Sequence, residues 1–227
     1  MKQTNTEITH KDIDATNKAA AFYTKTFLKV YDPLALFFYN RNVWKCPSRR
    51  ILDFYNEKVS ACHLDVGVGT GYFLDKCHFP TSIPVIGLMD LNPNCLQVAS
   101  HRLRRYHPTT YQANVLEPIQ IDMPKFDSIS LNYVLHCLPG TMESKGVVFS
   151  HLKLLLNNGG RVFGTTILGV GVQHGWWART AIKHNNKIGL FTNVNDSLPG
   201  LESVLQAHFR SYSTHTVGSV AFFVGVV

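Results

Sequence analysis

Apolar residues follow two alternating patterns along most of the chain: short continuous runs, and runs at helical spacing. The short runs predict buried strands at 61–66, 84–90 and 161–168. Residues 111–115 are predicted to end a further strand, and 126–132 is predicted to be a strand with mixed alternation. The helical patterns between them predict helices near 70–78, 93–106 and 142–156. Strands that alternate with helices in this way are typical of an α/β fold with a mostly parallel sheet.

The N-terminal part of the chain is predicted to be helical. Residues 15–30 carry apolar side chains at helical spacing, and Pro33 and Pro47 fit the first turns of two more helices. At 227 residues the chain suits one domain with a sizeable core. It is therefore predicted to be one compact unit with an N-terminal helical cap, residues 1–60, and a core, residues 61–227.

The C-terminal part is predicted to complete the sheet. A helix near 198–209 is followed by two strands, 210–217 and 220–227. The short turn Gly218-Ser219 between these strands favours an antiparallel hairpin at one edge. Together with the five strands above, these two give a predicted sheet of seven strands.

Residues 63–71 join the first predicted strand to its helix through the loop His-Leu-Asp-Val-Gly-Val-Gly-Thr-Gly. Glycine has no Cβ and tolerates positive φ, so a ligand can lie directly on such a loop. Its spacing, G-x-G-x-G, differs from the G-x-G-x-x-G of dinucleotide-binding folds. The second strand ends in Asp90, where a carboxylate can accept hydrogen bonds from the ribose of an adenosine ligand.

The order of these features resembles that of the class I S-adenosylmethionine-dependent methyltransferases. The glycines are followed by Asp90, Asn114 and Asn132 at the ends of three further strands. Residues 126–136 read Phe-Asp-x-Ile-x-x-x-x-x-Leu-His, which is similar to the small-molecule branch that includes ubiquinone and menaquinone methyltransferases. The resemblance covers the chain from about Cys62 onward.

This resemblance implies both a fold and an activity. The fold is a doubly wound, Rossmann-like, mostly parallel seven-stranded sheet with an antiparallel last strand. The cofactor is S-adenosylmethionine, the product is S-adenosylhomocysteine, and the acceptor is a small molecule. Whether the accepting atom is O, N, C or S stays open, as does the oligomeric state.

The resemblance also assigns residues to the cofactor. Asp65 is expected to hold the α-ammonium group. Gly67 and Gly69 are expected to allow close approach to the backbone, and Gly71 to let the first core helix pack against the sheet. Asp90 is expected to accept hydrogen bonds from both ribose hydroxyls.

Further expected cofactor contacts come from other loops. Leu91, which follows Asp90, is also assigned to the cofactor site. Asn114 is expected to contact the adenine amino group, and Val115 to offer its backbone N–H. Asn132 is expected to contribute a backbone carbonyl beneath the methionine moiety. Tyr31 resembles a tyrosine that closes over the cofactor carboxylate in this branch, with simple helix packing as the alternative.

Four residues are predicted to face the acceptor. His136 is the candidate catalytic residue, since an imidazole with a pKa near 6.5 could take a proton from the acceptor. Alternatively, His136 only shapes the pocket. Tyr39, His174 and Trp176 are predicted to bind the substrate. Two adjacent tryptophans cannot face the same side of a helix, so one of Trp176 and Trp177 is predicted to lie in the core.

The net charge of +7 raises the question of nucleic-acid binding. The basic cluster at 101–105 is predicted to be the solvated face of a helix. Residues 132–135 read Asn-Tyr-Val-Leu, unlike the Asn/Asp-Pro-Pro-Tyr of many base methyltransferases. A nucleic-acid substrate is therefore not expected. The alternatives are a nucleic-acid or protein methyltransferase, or a protein that binds S-adenosylmethionine without transferring its methyl group.

The cysteines and the N-terminal segment bear on location. Five cysteines without C-x-x-C spacing indicate neither a disulfide framework nor a zinc site, and free thiols suit the cytoplasm. No metal is expected, because Asn132-Tyr133 lacks the carboxylates found there in catechol-type enzymes of similar fold. Residues 1–15 are polar and lack a signal-peptide core, and no run approaches the roughly 20 apolar residues that span a bilayer.

Overall fold

A seven-stranded sheet forms the centre of the protein, whose computed structural model describes residues 8–227. The first seven residues, part of the predicted cap and of the polar N-terminal segment, lie outside the described residues. The strands are β1 (Cys62–Val66), β2 (Val85–Asp90), β3 (Thr109–Gln112), β4 (Phe126–Asn132), β5 (Leu156–Ile167), β6 (Ser211–Val217) and β7 (Val220–Val226). Their order is β3-β2-β1-β4-β5-β7-β6.

The direction of the strands matches the sequence prediction. The pairs from β3 through β5 are parallel, and only β7 runs antiparallel to its neighbours β5 and β6. The predicted mostly parallel, doubly wound sheet with an antiparallel last strand is confirmed. The chain winds outward in both directions from β1 and β4, which lie side by side. Ligands of such sheets bind outside the carboxyl ends of the strands at this switch point.

Six helices connect and cover the strands of the core. They are α4 (Tyr72–Lys76), α5 (Pro93–Arg102), α6 (Met142–Lys145), α7 (Val147–Lys153), α8 (Trp176–Lys187) and α9 (Leu198–His208). The single helix predicted near 142–156 is therefore wrong, because α6 and α7 are separate and Leu156 already pairs with Phe126 in the sheet. Residues 157–160 lie inside β5, where the register against β4 shifts.

The cap consists of α1 (His10–Ala21), α2 (Lys25–Tyr31), a π-helix (Asp32–Val43) and α3 (Ser48–Lys58). The one helix predicted over 15–30 is two helices, because Thr24 starts a new one. Its side chain accepts a hydrogen bond from the Phe27 N–H at 3.2 Å. Pro33 lies in the first turn of the π-helix, as predicted, and Pro47 directly precedes α3.

The hydrophobic core has two layers, one on each face of the sheet. One layer joins Trp44, Ile51 and Tyr55 of the cap to Phe163 and Phe222 of the sheet. The other packs α7 and α9 against the opposite face. The cap thus covers one face of the sheet near its carboxyl edge. In the part of the chain that the structure describes, no helix is both long and apolar enough to cross a membrane.

Candidate functional site

A cavity opens at the carboxyl edge of the sheet, outside the ends of β1, β2 and β4. It encloses about 840 Å³ of space, part of which is open to solvent. Most of the residues predicted to bind the cofactor line this first cavity: Tyr31, Gly67, Gly69, Asp90, Leu91, Asn114, Val115 and Asn132. The structure therefore brings together residues from five separate segments of the sequence.

The glycine loop forms one wall of the first cavity. Gly67 and Gly69 have φ of +66° and +53°, a region that favours glycine. A Cβ on Gly69 would meet no atom within 4 Å, so a ligand can lie against this backbone. Gly71 has a different role from the predicted one. Its Cβ would lie 3.2 Å from the Cβ of Ala99 on α5, so Gly71 lets the loop approach α5 rather than the sheet.

Asp90 ends β2 with its carboxylate at the cavity. One oxygen accepts the backbone N–H of Asn92 at 2.8 Å, and the other accepts that of Gly69 at 3.3 Å. Burial raises the pKa of this carboxyl group to about 6. A carboxylate has about four acceptor positions, so two remain for ligand hydroxyls. The side chain of Asn92, not that of Asp90, caps α5.

Two asparagines present unpartnered donors to the first cavity. The Oδ1 of Asn114 accepts the Leu116 N–H at 3.0 Å, and that of Asn132 accepts the Thr165 hydroxyl at 3.1 Å. Both Nδ2 groups are buried without a partner among residues 8–227. The free donor of Asn114 suits a ring nitrogen of a ligand, whereas the expected contact with an adenine amino group would use the second lone pair of Oδ1. Leaving such groups unpaired costs about 1–3 kcal/mol each, which indicates a ligand with hydrogen-bond acceptors.

Asp65 lies beside a smaller adjoining cavity, lined also by Gly67, Gly69 and Asn132. Its carboxylate accepts a hydrogen bond from the hydroxyl of Ser130. Burial raises the pKa of Asp65 to about 7, the Ser130 hydrogen bond lowers it, and the charge of Asp90 raises it. This carboxyl group therefore lies at the edge of the glycine loop, where it is available to a ligand in the smaller cavity.

The cap is tied to the rim of the first cavity by two polar contacts that the sequence did not reveal. The Nδ2 of Asn92 donates to the carbonyls of Ala20 and Tyr23 at 2.7 and 3.0 Å. Asp32, in the π-helix, accepts from the Thr70 hydroxyl at 2.6 Å and from Arg102 at 2.7 Å. These bonds hold the intervening Tyr31 beside the first cavity.

A second, largely aromatic cavity with about 910 Å³ of empty space adjoins the first. The two share Tyr23, Tyr31, Tyr133 and Leu190. Tyr39, which was predicted to bind the substrate, lines the second cavity. Phe27, Leu34, Trp44 and Phe191 add to its apolar wall, and none of its lining residues within 8–227 is Asp, Glu, Lys or Arg.

Tyr133 lies at the junction of the two cavities and was not predicted to belong to the site. Its backbone has φ +58°, an unusual conformation for a bulky residue that often marks a functional site. Its hydroxyl is buried without a partner in the described part of the chain, and burial raises its pKa. No local sequence pattern signals this conformation.

His136 lines the second cavity and is almost fully buried. Burial and the nearby charge of Lys145 lower its pKa to about 3, so the imidazole is neutral. Its Nδ1 faces the backbone N–H of Ile167 at 3.3 Å, and because an N–H only donates, Nδ1 must accept. The proton of the neutral ring is therefore on Nε2, which has no hydrogen-bond partner within residues 8–227.

The other two predicted substrate residues lie elsewhere. Neither His174 nor Trp176 lines either cavity. Both ring nitrogens of His174 are engaged, by Ser219 at 2.9 Å and by the Gly169 carbonyl at 3.1 Å. Trp176 and Trp177 are 62% and 66% exposed, so the prediction that one lies in the core is wrong. Helix α8 instead buries Ala178 and Ile182.

Comparison with known proteins identifies the family. Residues 64–162 match the family described as a methyltransferase domain. The chain is 39% identical over 201 residues to demethylluteothin O-methyltransferase of Streptomyces thioluteus, covering 88% of this chain and 87% of that protein. It is 38% identical over 220 residues to methyltransferase verB of Penicillium polonicum, covering 86% and 95%. The solved DhpI–SAH complex has a TM-score of 0.66 at 13% identity, covering 92% of this chain and 95% of that one, which shows a shared fold.

The chain therefore belongs to the methyltransferase family of these relatives. It is a class I S-adenosylmethionine-dependent methyltransferase of the small-molecule type, and S-adenosylmethionine is its cofactor. The first cavity fits this cofactor, because it offers unpartnered amide donors, open space over Gly69 and a carboxylate with free acceptor positions. Within residues 8–227, no three His, Cys, Asp or Glu side chains come together as a metal-binding group.

The orientation of Asn114 can be tested by exchanging its free donor for an acceptor. We expect Asn114→Asp to weaken S-adenosylhomocysteine binding about tenfold or more, because two acceptors would then face each other. Titration calorimetry measures the change. Gln120→Glu, an exposed substitution that adds the same charge, should leave affinity unchanged. Unchanged or tighter binding by Asn114→Asp would instead indicate that the side chain at position 114 accepts a hydrogen bond from the adenine amino group.

Proposed function

We propose that this enzyme methylates a hydroxyl oxygen of a small, largely apolar acceptor bound in the second cavity. The observation that carries this proposal is the aromatic, uncharged lining of a cavity that meets the first one at Tyr31 and Tyr133. An acceptor in the second cavity would lie beside a cofactor in the first. Oxygen is favoured because the relative from Streptomyces thioluteus is named an O-methyltransferase.

We propose the following roles for the residues of the first cavity. Asp65 holds the α-ammonium group and Asp90 the ribose hydroxyls. Asn114 donates to an adenine ring nitrogen, and Asn132 donates its Nδ2 to the methionine end. Tyr31 covers this end from the cap. The unpartnered Nδ2 groups support the roles of the two asparagines. The other roles are supported by the positions of those residues in the cavity linings.

S-adenosylmethionine supplies a methyl group that is already activated on a sulfonium. The residues of the protein therefore need mainly to bind and orient the two reactants. Good orientation alone can lower a barrier by roughly 7–11 kcal/mol. The tyrosines shared by the two cavities exclude water at the junction and hold the acceptor against the cofactor.

The geometry of His136 favours a role in shaping the pocket over a role as a general base. A general base needs a free lone pair towards the acceptor, and the lone pair of His136 accepts the Ile167 N–H instead. Nε2–H is then a hydrogen-bond donor to the acceptor oxygen. Within residues 8–227, the lining contains no carboxylate or amine, and His184 is its only other imidazole. An acceptor hydroxyl that is acidic enough to ionise in water would need no base from this lining. His136 stabilises that oxygen anion and aims it.

The acceptor class is tested by incubating the enzyme with S-adenosylmethionine and a panel of phenols, aliphatic alcohols, amines and thiols of matched size. We expect S-adenosylhomocysteine release with the phenols, and mass spectrometry should locate the new methyl group on oxygen. Faster methylation of the amines or thiols would contradict the proposed acceptor atom.

The role of His136 makes a separate prediction. His136→Ala removes a hydrogen bond to an oxygen anion, so we expect kcat/KM for the best phenol to fall roughly 10- to 100-fold, with an unchanged pH profile. His136→Gln, which keeps an N–H donor, should recover part of the loss. Loss of a general base would instead cost about 10²–10⁴ in kcat and remove one limb of the pH profile. That result would show that His136 is a base.

We also propose that nucleic acid is not a substrate and that the protein is cytoplasmic. In the basic cluster, Arg102 pairs with Asp32 and Arg105 pairs with Asp75 at 2.6 Å, so both charges are partly neutralised within the fold. The five cysteines are free thiols, which supports a reducing compartment.

A further inference from the structure

A row of buried polar side chains lies behind Asp65, outside both large cavities. The register of β1 and β4 pairs His63 with Ser128 and Asp65 with Ser130, so the four side chains share one face of the sheet. Tyr55 of α3 covers them. Tyr55, His63, Ser128 and Ser130 are fully buried. Burying polar groups costs free energy unless they are paired, so this row needs an explanation.

Hydrogen bonds connect the row into one chain that ends at Asp65. The Ser128 hydroxyl lies 2.7 Å from Nδ1 of His63, and Nε2 of His63 lies 2.7 Å from the Tyr55 hydroxyl. The Tyr55 hydroxyl lies 3.1 Å from that of Ser130, which donates to the Asp65 carboxylate. Every member therefore has a partner on each side.

The donors in this chain can all point towards Asp65. Because the hydroxyl proton of Ser130 goes to Asp65, its oxygen is left to accept from Tyr55 or His63. Burial lowers the pKa of His63 to about 3, so its ring is neutral and carries one proton. With that proton on Nε2, the order of donation is Ser128, His63, Tyr55, Ser130, Asp65. Such aligned bonds strengthen one another next to a negative charge.

We propose that Tyr55, His63 and Ser130 are positioning residues that hold Asp65 as an oriented carboxylate for the α-ammonium group of the cofactor. This inference rests on the proposed role of Asp65. The aligned hydrogen-bond donors of these residues favour the ionised form of Asp65 and fix the direction of its carboxylate oxygens.

The surroundings of Asp65 show why it needs such support. The titratable groups that face it are Asp90 from β2, Tyr55 from α3 and Cys77 after α4, and none is a cation at neutral pH. Burial and Asp90 both favour the protonated carboxyl, while the Ser130 hydroxyl favours the ionised one. Removing Ser130 should therefore shift ionisation of Asp65 to higher pH.

The test is titration calorimetry with S-adenosylhomocysteine between about pH 6 and pH 8. In the wild type we expect affinity to fall about tenfold from pH 8 to pH 6, because Asp65 titrates near 7. Ser130→Ala should bind about tenfold more weakly at pH 7 and lose affinity at a higher pH than the wild type does. Tyr55→Phe keeps the ring packing and should shift the profile in the same direction by less.

Two control variants separate the possible outcomes. Tyr111→Phe removes the hydroxyl of a mostly buried tyrosine on β3, which lines neither cavity, and should match the wild type. Asp65→Asn should weaken binding and leave only the pH dependence that Asp90 contributes near pH 6. If Asp65→Asn has this effect while Ser130→Ala keeps both wild-type affinity and its pH profile, the positioning role is wrong and the role of Asp65 stands. If Asp65→Asn binds normally, both are wrong.

Discussion

Replacement of Gly69 by valine is expected to abolish S-adenosylmethionine binding while the protein stays folded. A Cβ at Gly69 meets nothing within 4 Å, so the valine side chain would stand in the first cavity rather than in the core. A non-glycine residue in the left-handed region costs roughly 1–2 kcal/mol, small against the 5–15 kcal/mol that stabilise a typical domain. Calorimetry with S-adenosylhomocysteine measures binding, and thermal unfolding checks the fold.

Gly159→Val is the matched control for backbone strain. Gly159 has φ +75°, its Cβ would also meet nothing within 4 Å, and it lines neither cavity. This variant should lose a similar amount of stability and keep wild-type affinity. If Gly69→Val binds with wild-type affinity, the cofactor does not lie on the glycine loop and the proposed site is misplaced.

The sheet could be predicted because each of its central strands carries its own local signal. Parallel strands buried on both faces need mostly apolar residues. The run at 84–90 is nearly continuous, and 126–132 carries Phe126, Ile129 and Leu131 in mixed alternation. The start of β5 was missed because it depends on the pairing of Leu156 with Phe126, thirty residues earlier. A window of neighbouring residues does not contain that contact.

The sequence located the first cavity more completely than it described the chemistry there. It placed Asp90 and Asn114 at successive strand ends; in the structure Asp90 ends β2, and Asn114 lies two residues beyond β3. It could not give the atom that each side chain leaves free. The Leu116 N–H fixes the orientation of Asn114, and the Ile167 N–H fixes the tautomer of His136. Both depend on backbone geometry that residue types do not encode.

Two errors of interpretation have simple physical causes. Adjacent tryptophans cannot share one helix face, but the rule does not require either to be buried, and α8 exposes both Trp176 and Trp177. The polar row behind Asp65 was overlooked although its spacing is visible. His63 and Asp65, like Ser128 and Ser130, stand two residues apart in strands predicted to be buried. Polar residues with a period of two inside apolar strands indicate a shared buried face.

Asp196→Ala is expected to cause the largest loss of stability among single substitutions at ion pairs of the described chain. Asp196 and Lys145 form an ion pair at 2.7 Å, and their side chains are 2% and 0% exposed. Lys145 also donates to the Thr192 carbonyl at 3.0 Å. Removing one partner leaves a buried charge, so the free energy of unfolding should fall by about 3–5 kcal/mol in urea titrations.

Two controls isolate the effect of burial. Arg49 and Asp53 form an ion pair at 4.0 Å with side chains 89% and 55% exposed, so Asp53→Ala should change stability little. The double substitution Lys145→Met with Asp196→Leu removes both charges and should recover most of the loss. A single Asp196→Ala variant as stable as Asp53→Ala would mean that Lys145 finds another partner.

The loss in Asp196→Ala should also depend on pH. Burial lowers the pKa of Lys145, whereas the paired Asp196 raises it, so losing Asp196 lowers it further. Between that lowered pKa and the ordinary lysine value, the unfolded chain binds more protons than the folded one. The variant should therefore gain stability relative to the wild type as pH rises towards 10.

The Lys145–Asp196 pair also anchors the loop behind the proposed acceptor site. Lys145 donates to the Thr192 carbonyl, and the Thr192 N–H donates to the His136 carbonyl at 2.9 Å.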